Sequence, residues 1–298
     1  MIKIIFLGTA SMMPTKERNA ISTLLNYQGE YILIDCGENT QRQLRYINID
    51  PVRITKILLT HIHGDHTLGL PGLLQTIASA NTQKTVEIYG PRNTKNFMSA
   101  LTTLFLKKGE NQKLSIMEIG EGIFFENKDF TLAAAKLEHT THCLGYSFQE
   151  KDKRRINLQY TKKFGLTKHP LLGKLQQGLT ITFKGQKISP KKATIIKKGK
   201  KIVFILDTMY TEKAIKLAKD ADLLITEATF LENLKEKAYS YKHLTAREAA
   251  IIAKRAKAKR LILTHFSKRY ANVADLEKEA KTTFKNTEAA EDFLEVIL

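Results

Sequence analysis

A chain of 298 residues with 43% hydrophobic content can bury a large core, as one big α/β domain or two ordinary ones. Its longest apolar runs, such as Ile202 to Leu206, fall far short of the about eighteen residues a membrane helix needs, and two cysteines, Cys36 and Cys143, argue against a disulfide framework. The net charge of +18 is regional: Lys153 to Lys201 holds fifteen Lys or Arg and no Asp or Glu, so this window carries +15 and points to a polyanion partner, most simply nucleic acid.

Met1 to Leu7 reads as a strand running into a Gly-Thr-Ala-Ser turn. It lacks the basic leader and long hydrophobic region of a signal peptide, so a cytoplasmic location is expected. The loop Gly8 to Ala20, with Pro14, Lys16, Arg18 and Asn19, reads as a hairpin connection with solvated charges or as a phosphate-holding loop. Strands follow over Ile21 to Asn26 and Tyr31 to Asp35. Asp35 and Glu38 then either accept from histidine N–H groups or cap a helix from Thr40 to Tyr46.

Lys56-Ile-Leu-Leu-Thr60 has strand character, and Leu68 to Leu74 reads as a turn entering a helix. Between them lies His61-Ile-His-Gly-Asp-His66. Three imidazoles and a carboxylate within six residues resist explanation as packing, because each buried ring would need a polar partner of its own. A metal ion supplies that partner. Zinc takes neutral histidine nitrogens readily, and a carboxylate beside them suits a second ion better than one closed four-ligand cage. A solvated His-rich loop is the much weaker alternative.

Strands over Val86 to Tyr89, Leu114 to Ile119, Ile123 to Phe125 and Phe130 to Lys136, with a helix from Asn93 to Phe105, indicate α/β content with mixed sheets rather than a doubly wound pattern. Leu137-Glu-His139 closes one strand and Gly145 begins another, so His139 and His142 share a short connection. Either can complete a three-histidine set with His61 and His63. The basic block then contains a compact piece, Phe164 to Gly178, and a hairpin, Leu179 to Ile188, with too few apolar residues for a core, which suits a protruding arm. Lys201 to Asp207, Asp222 to Glu227 and Arg260 to His265 are apolar strands that, like the one reaching Asp35, end in a ligand-type or acid/base-type residue. Ligands of sheet-based α/β folds gather at such C-terminal edges. Thr245 to Ala256 is a helix capped by Thr245. No repeat or linker divides the chain, so residues 1–298 are expected to form one domain with an inserted basic arm at 151–192.

These residues resemble a known family. The signature His61-x-His63-x-Asp65-His66, with His139, Asp207 and His265 downstream, resembles the metallo-β-lactamase fold, an αββα sandwich of two mixed β-sheets flanked by helices. Within that fold the chain is similar to the tRNase Z family, through Phe6 to Thr9, Pro14 to Asn19, Asp35 to Gln41, Thr60 to Leu74, Leu137 to His139 with Gly145-Tyr146, Asp207-Thr208, Glu227 to Phe230 and Thr264 to Tyr270. Three positions depart from the pattern: Thr226 before Glu-Ala-Thr-Phe, Leu244 after His243, and His169-Pro170 in the arm.

The resemblance implies a zinc-dependent endoribonuclease that removes the 3′ trailer of precursor tRNA, leaving a 3′-hydroxyl on the tRNA and a 5′-phosphate on the trailer. It implies two Zn2+ per subunit, one on His61, His63 and His139 and the other on Asp65, His66 and His265, with Asp207 shared. The ligand followed six residues later by Gly-Tyr is His139, which the resemblance selects over His142. It also gives Asp65 a role in orienting the attacking water or accepting its proton, makes His243, oriented by Glu227, the general acid, and implies a homodimer whose arm reaches the tRNA elbow. Two other classes compete. A small-molecule metallohydrolase such as a lactonase gains nothing from fifteen positive charges, and a non-catalytic RNA-binding protein would be expected to have lost ligands.

Overall fold

Several strands are buried on both faces, which is why they read as near-continuous apolar runs instead of alternating ones. Ile2–Gly8 leaves one residue partly exposed and Leu223–Glu227 none. The computed structural model describes residues 1–80, 84–106 and 113–298. Among the described residues its strands form two seven-stranded sheets and three two-stranded ones. The first takes, in spatial order, Glu295–Ile297, Ile2–Gly8, Ser22–Tyr27, Glu30–Ile34, Ile54–Leu58, Thr85–Gly90 and Lys113–Glu118. The second takes Thr287–Ala289, Leu261–Thr264, Leu223–Glu227, Lys201–Ile205, His142–Glu150, Phe130–Glu138 and Gly122–Glu126.

Both sheets are flanked by helices, each offering an apolar stripe. Leu44, Leu73, Ile77 and Met98 from three helices pack with Ile5, Leu33 and Ile57 of the first sheet. The second sheet's Val203, Leu224 and Leu263 pack with Ile215, Ile252 and Leu276. Fully burying each such side chain contributes roughly 1.5–3 kcal/mol. Tyr27 meets Phe148, and Tyr89 meets Phe124, across the facing sides of the sheets, with ring centroids 5.2 and 4.9 Å apart. The expected αββα sandwich is the fold observed.

Parallel pairing aligns the strand ends that matter. Ile205 pairs with Thr226, and Glu227 with Thr264, so Asp207, Glu227 and His265 emerge side by side from the second sheet. In the first sheet Ile34 pairs with Leu58, which sets Asp35 beside the start of the histidine loop. That loop closes tightly on Asp35-Cys36-Gly37. Cys36 donates its N–H to the His66 carbonyl at 2.8 Å, and Gly69 donates to the Cys36 carbonyl at 2.9 Å. A Cβ at Gly69 would collide with the Gly37 carbonyl, and only glycine permits that approach.

The chain divides into two compact units, one of Met1–Phe125, Leu132–Phe148 and Lys201–Leu298, the other of Glu126–Thr131 and Gln149–Lys200. The second contains the basic block, and here the sequence expectation needs correcting. Leu166, Leu175, Ile181, Ile188 and Ala193 form a small core of its own, reached by the hairpin Ile181–Phe183 and Gln186–Ile188. Lys153–Ile156 pairs with Thr194–Lys197 across it. Apolar residues too sparse to register as a periodic pattern still meet when short helices and turns fold them inward. Among the described residues no helix is long and apolar enough to cross a membrane.

Candidate metal centre

Asp207 emerges two residues beyond the strand Lys201–Ile205 and is buried between two groups of ligands. Its Oδ2 faces His61 Nε2 at 3.7 Å and His139 Nε2 at 3.6 Å; its Oδ1 faces His265 Nε2 at 3.1 Å and His66 Nε2 at 3.4 Å. His63 joins the first group, with Nδ1 2.9 Å from His61 Nε2 and 3.4 Å from His139 Nε2. Asp65 joins the second, with Oδ2 3.4 Å from His66 Nε2 and 3.5 Å from His265 Nε2. Ligand atoms of His61, His63, His139 and Asp207 all lie within 4.8 Å of one another, as do those of Asp65, His66 and His265.

The ring nitrogens turned away from this centre are occupied, and their partners fix the tautomers. His66 Nδ1 lies 2.6 Å from Asp35 Oδ2. His139 Nδ1 lies 3.0 Å from the Lys242 carbonyl. The Thr60 hydroxyl donates to Asp35 at 2.7 Å and so accepts from His61 Nδ1 at 3.0 Å. Likewise the Thr229 hydroxyl donates to Glu227 at 2.6 Å and accepts from His265 Nδ1 at 3.1 Å. In their neutral forms these four rings therefore carry the proton on Nδ1 and turn an Nε2 lone pair inward. Asp35 and His265 hold left-handed backbone angles, φ 54° and 58°, an unfavourable conformation maintained by the surrounding bonds.

Donors arranged this way fit divalent cations. Buried polar atoms ordinarily have a partner; His66 Nε2, His265 Nε2 and Asp207 Oδ1 are buried and have no hydrogen-bond partner among the described residues. Burial would raise the Asp207 carboxyl, but His265, His66 and His243 hold it well below the usual carboxylate range. Burial would raise Asp65 too, but the His265 and His66 rings facing it hold it well below the usual carboxylate range. Burial lowers His61 and His139, which favours the neutral ring a metal requires. It would lower His66 too, but Asp207 and Asp35 hold that ring well above the usual histidine range. Anionic carboxylates set against converging lone pairs call for positive charge between them.

His243 adjoins this centre, with a ligand-type atom within 4.8 Å of those of Asp207 and His265. Buried Glu227 receives the Thr208 N–H at 2.7 Å and holds His243 Nδ1 with both oxygens at 3.1 Å. Burial lowers the ring, but Glu227 and Asp207 outweigh it and raise it to about 9.

All nine residues singled out in the sequence are thus brought together. His142 is not: it opens the strand His142–Glu150, is exposed, and is absent from the ligand groups. Asp35 supports His66, and the N-cap position of the helix Thr40–Tyr46 is Asn39 in left-handed geometry with no side-chain capping bond, so neither Asp35 nor the exposed Glu38 occupies it. Arg18, one of the charges read as solvated, is buried and donates to the Tyr270 and Ala271 carbonyls at 2.7 and 3.4 Å. Sequence reading missed Thr60, Thr229 and Lys242. The threonines carried a faint signal, each lying one or two residues from a recognised acidic or histidine position.

Two mixed sheets with this centre at their common edge define the class, a divalent-metal hydrolase of the metallo-β-lactamase fold. Residues 2–289 match the family described as Anti-Pycsar protein Apyc1. Ribonuclease Z of Bacillus subtilis (strain 168) is 40% identical over 304 residues, covering 99% of this chain and 98% of that protein. Ribonuclease Z of Nanoarchaeum equitans (strain Kin4-M) is 39% identical over 272 residues, covering 90% and 84%. The crystal structure of human tRNase Z, short form, aligns with a TM-score of 0.73 at 28% identity, covering 99% of this chain and 98% of that one. The chain belongs to the family so described and, by its identity to these relatives, to the ribonuclease Z family.

Proposed function

We propose that this chain, acting with two zinc ions per subunit, cuts precursor tRNA after the last nucleotide retained by the tRNA, leaving a 3′-hydroxyl there and a 5′-phosphate on the trailer. Its family makes it a metal-dependent tRNA 3′ endonuclease. The observation that carries the two-ion reading is the division of Asp207, whose oxygens face separate histidine groups. His61, His63 and His139 would hold one ion, Asp65, His66 and His265 the other, with Asp207 shared; nitrogen and oxygen donors in this mixture suit zinc. When bound, such a pair supplies charge neutralisation at the scissile phosphate and acidifies water towards neutrality.

The chain's own residues do the rest. Asp65 orients the attacking water and takes its proton. His243, held by Glu227 through Nδ1, presents Nε2 to the departing 3′ oxygen and protonates it as the P–O3′ bond breaks. The unit around the basic block, residues 151–192 above all, binds the tRNA body through phosphate contacts, as a homodimer in the cytoplasm. A small neutral substrate would leave these positive charges without a role. A 3′-extended precursor tRNA incubated with and without chelator tests the reading: a single cut at the tRNA 3′ end, lost with chelator and restored by zinc, is expected. Cleavage that persists in metal-free protein would sink it.

A further inference from the structure

The Nδ1 of His243 is committed to Glu227, and the ring lines two cavities, one of about 470 Å3 and one of about 250 Å3. The larger cavity exposes more apolar than polar surface, although it adjoins a centre built from histidine and carboxylate. Met12 and Met13 come from the loop after Ala10–Ser11, Tyr241 from the end of the helix Lys235–Tyr241, and Phe230 from behind His243. Met12, Met13 and Tyr241 are 73%, 44% and 55% exposed, so this apolar surface faces water unless a ligand covers it.

Cations surround it. Lys237, Lys268 and Arg269 line the same cavity. Arg269 lies 4.9 Å from the Phe230 ring centroid with its Nε held by the Ser267 hydroxyl at 2.9 Å, which presents a pre-set planar guanidinium. Polarisable thioethers, a phenol and a guanidinium plane stack on flat π-systems, and ammonium groups around them meet flanking phosphates. The cavity on the other flank, lined by His139, Arg92, Lys136 and Lys242, has no Met, Phe or Tyr in its walls. It suits sugar and phosphate, whereas the larger His243 cavity suits a base.

The geometry points to the larger His243 cavity as the seat of the nucleobase immediately 5′ to the cut, on the nucleotide whose 3′ oxygen leaves. This rests on the acid role proposed for His243: a ring that protonates that oxygen stands beside that nucleotide's ribose, and of the two cavities the ring lines the larger is the one that adds the Arg269 guanidinium to its methionines and aromatic rings.

The test uses full-length, metal-loaded protein and three precursor tRNAs: one intact, one abasic at the nucleotide 5′ to the cut, and one abasic at the nucleotide 3′ to it. Loss of the 5′ base should lower kcat/KM roughly tenfold to a hundredfold, the scale of one stacked base, and loss of the 3′ base should change it little. The exposed pair Met13→Ala and Tyr241→Ala, with melting temperature and metal content matching the parent, should lose a similar factor on the intact precursor. It should lose almost nothing further on the 5′-abasic one, a coupling that a merely structural defect would not produce. Equal cleavage of intact and 5′-abasic precursors, or losses that multiply independently, would overturn the assignment. So would a variant coupled to the 3′ base instead. Failure to cut the intact precursor would remove the parent reading and the cavity's role together.

Discussion

The main-chain carbonyl of Lys242 accepts from His139 Nδ1 at 3.0 Å, while the Lys242 ammonium donates to the His139 carbonyl at 3.2 Å. Lys242 does this from a left-handed backbone conformation, φ 54°, and the next residue is His243. One constrained residue thus orients a ligand of the centre and launches the residue beside it.

The backbone shape at 242, more than the side chain, is therefore expected to matter. Lys242→Gly keeps that shape without strain and should leave metal affinity within a few-fold of the parent, whereas Lys242→Val, β-branched and disfavoured there, should weaken it about 10–100-fold, the usual scale for losing a ligand's outer partner. Chelator competition measures both. Equal affinity in the two variants would show that the carbonyl does not orient His139.

His243→Ala should slow cleavage by about two to four orders of magnitude with metal content unchanged. Glu227→Ala should act in the same direction, because Nδ1 then has no carboxylate to hold the ring. Single-turnover rates beside metal analysis decide this. Metal loss in His243→Ala would make the residue a ligand and remove its acid role.

These residues also mark where sequence reading reaches and where it stops. Asp35, Asp207, Glu227 and His265 were legible because each follows an apolar run, and parallel register then makes such strand ends neighbours. His139 and His142 were not separable by pattern, since three residues decide between a turn that points inward and a strand that starts exposed. Lys242 was invisible, because its contribution is a main-chain carbonyl, and carbonyls have no letter in a sequence. The core of the basic unit escaped for another reason: five apolar side chains spread over Leu166 to Ala193 make no periodic pattern.

Asp292, six residues from the C-terminus, gathers the Asn19 N–H at 2.7 Å, the Thr9 hydroxyl at 2.8 Å and the Gln43 amide at 3.2 Å. Burial outweighs these donors and pushes its carboxyl up to about 6. A carboxyl raised on folding contributes stability that is full below its unfolded pKa, about 4, and is lost as pH rises through its folded one. Whatever its pH-independent cost, Asp292→Asn should therefore gain on the parent by up to about 1.4 kcal/mol per pH unit across that window, about 3 kcal/mol at most. Urea unfolding of both proteins at about pH 4.5 and about pH 7 measures the difference. A gap that stays constant with pH would show that Asp292 titrates like an ordinary aspartate.

The basic unit offers a clean excision, because the Glu150 N–H donates to the Lys200 carbonyl at 2.9 Å and the two chain ends already meet there. Cutting at Arg154 and Lys187 instead would split the pairing of Lys153–Ile156 with Thr194–Lys197 and expose half of a small core. Replacing Asp152 to Gly199 with a short Gly-Ser linker removes thirteen Lys or Arg and one Asp, and leaves every proposed metal ligand in place. The shortened protein should load metal and hydrolyse a small phosphodiester at close to the parent rate. Its use of precursor tRNA should collapse, and the plot of log binding constant against log salt should become shallower, since each lost phosphate contact removes about 0.9 from the slope on a duplex. The two readouts separate a damaged centre, which would lower both activities, from a lost grip on RNA, which lowers one. A shortened protein that processes precursor tRNA as well as the parent, with an unchanged salt slope, would remove these positive charges from substrate binding.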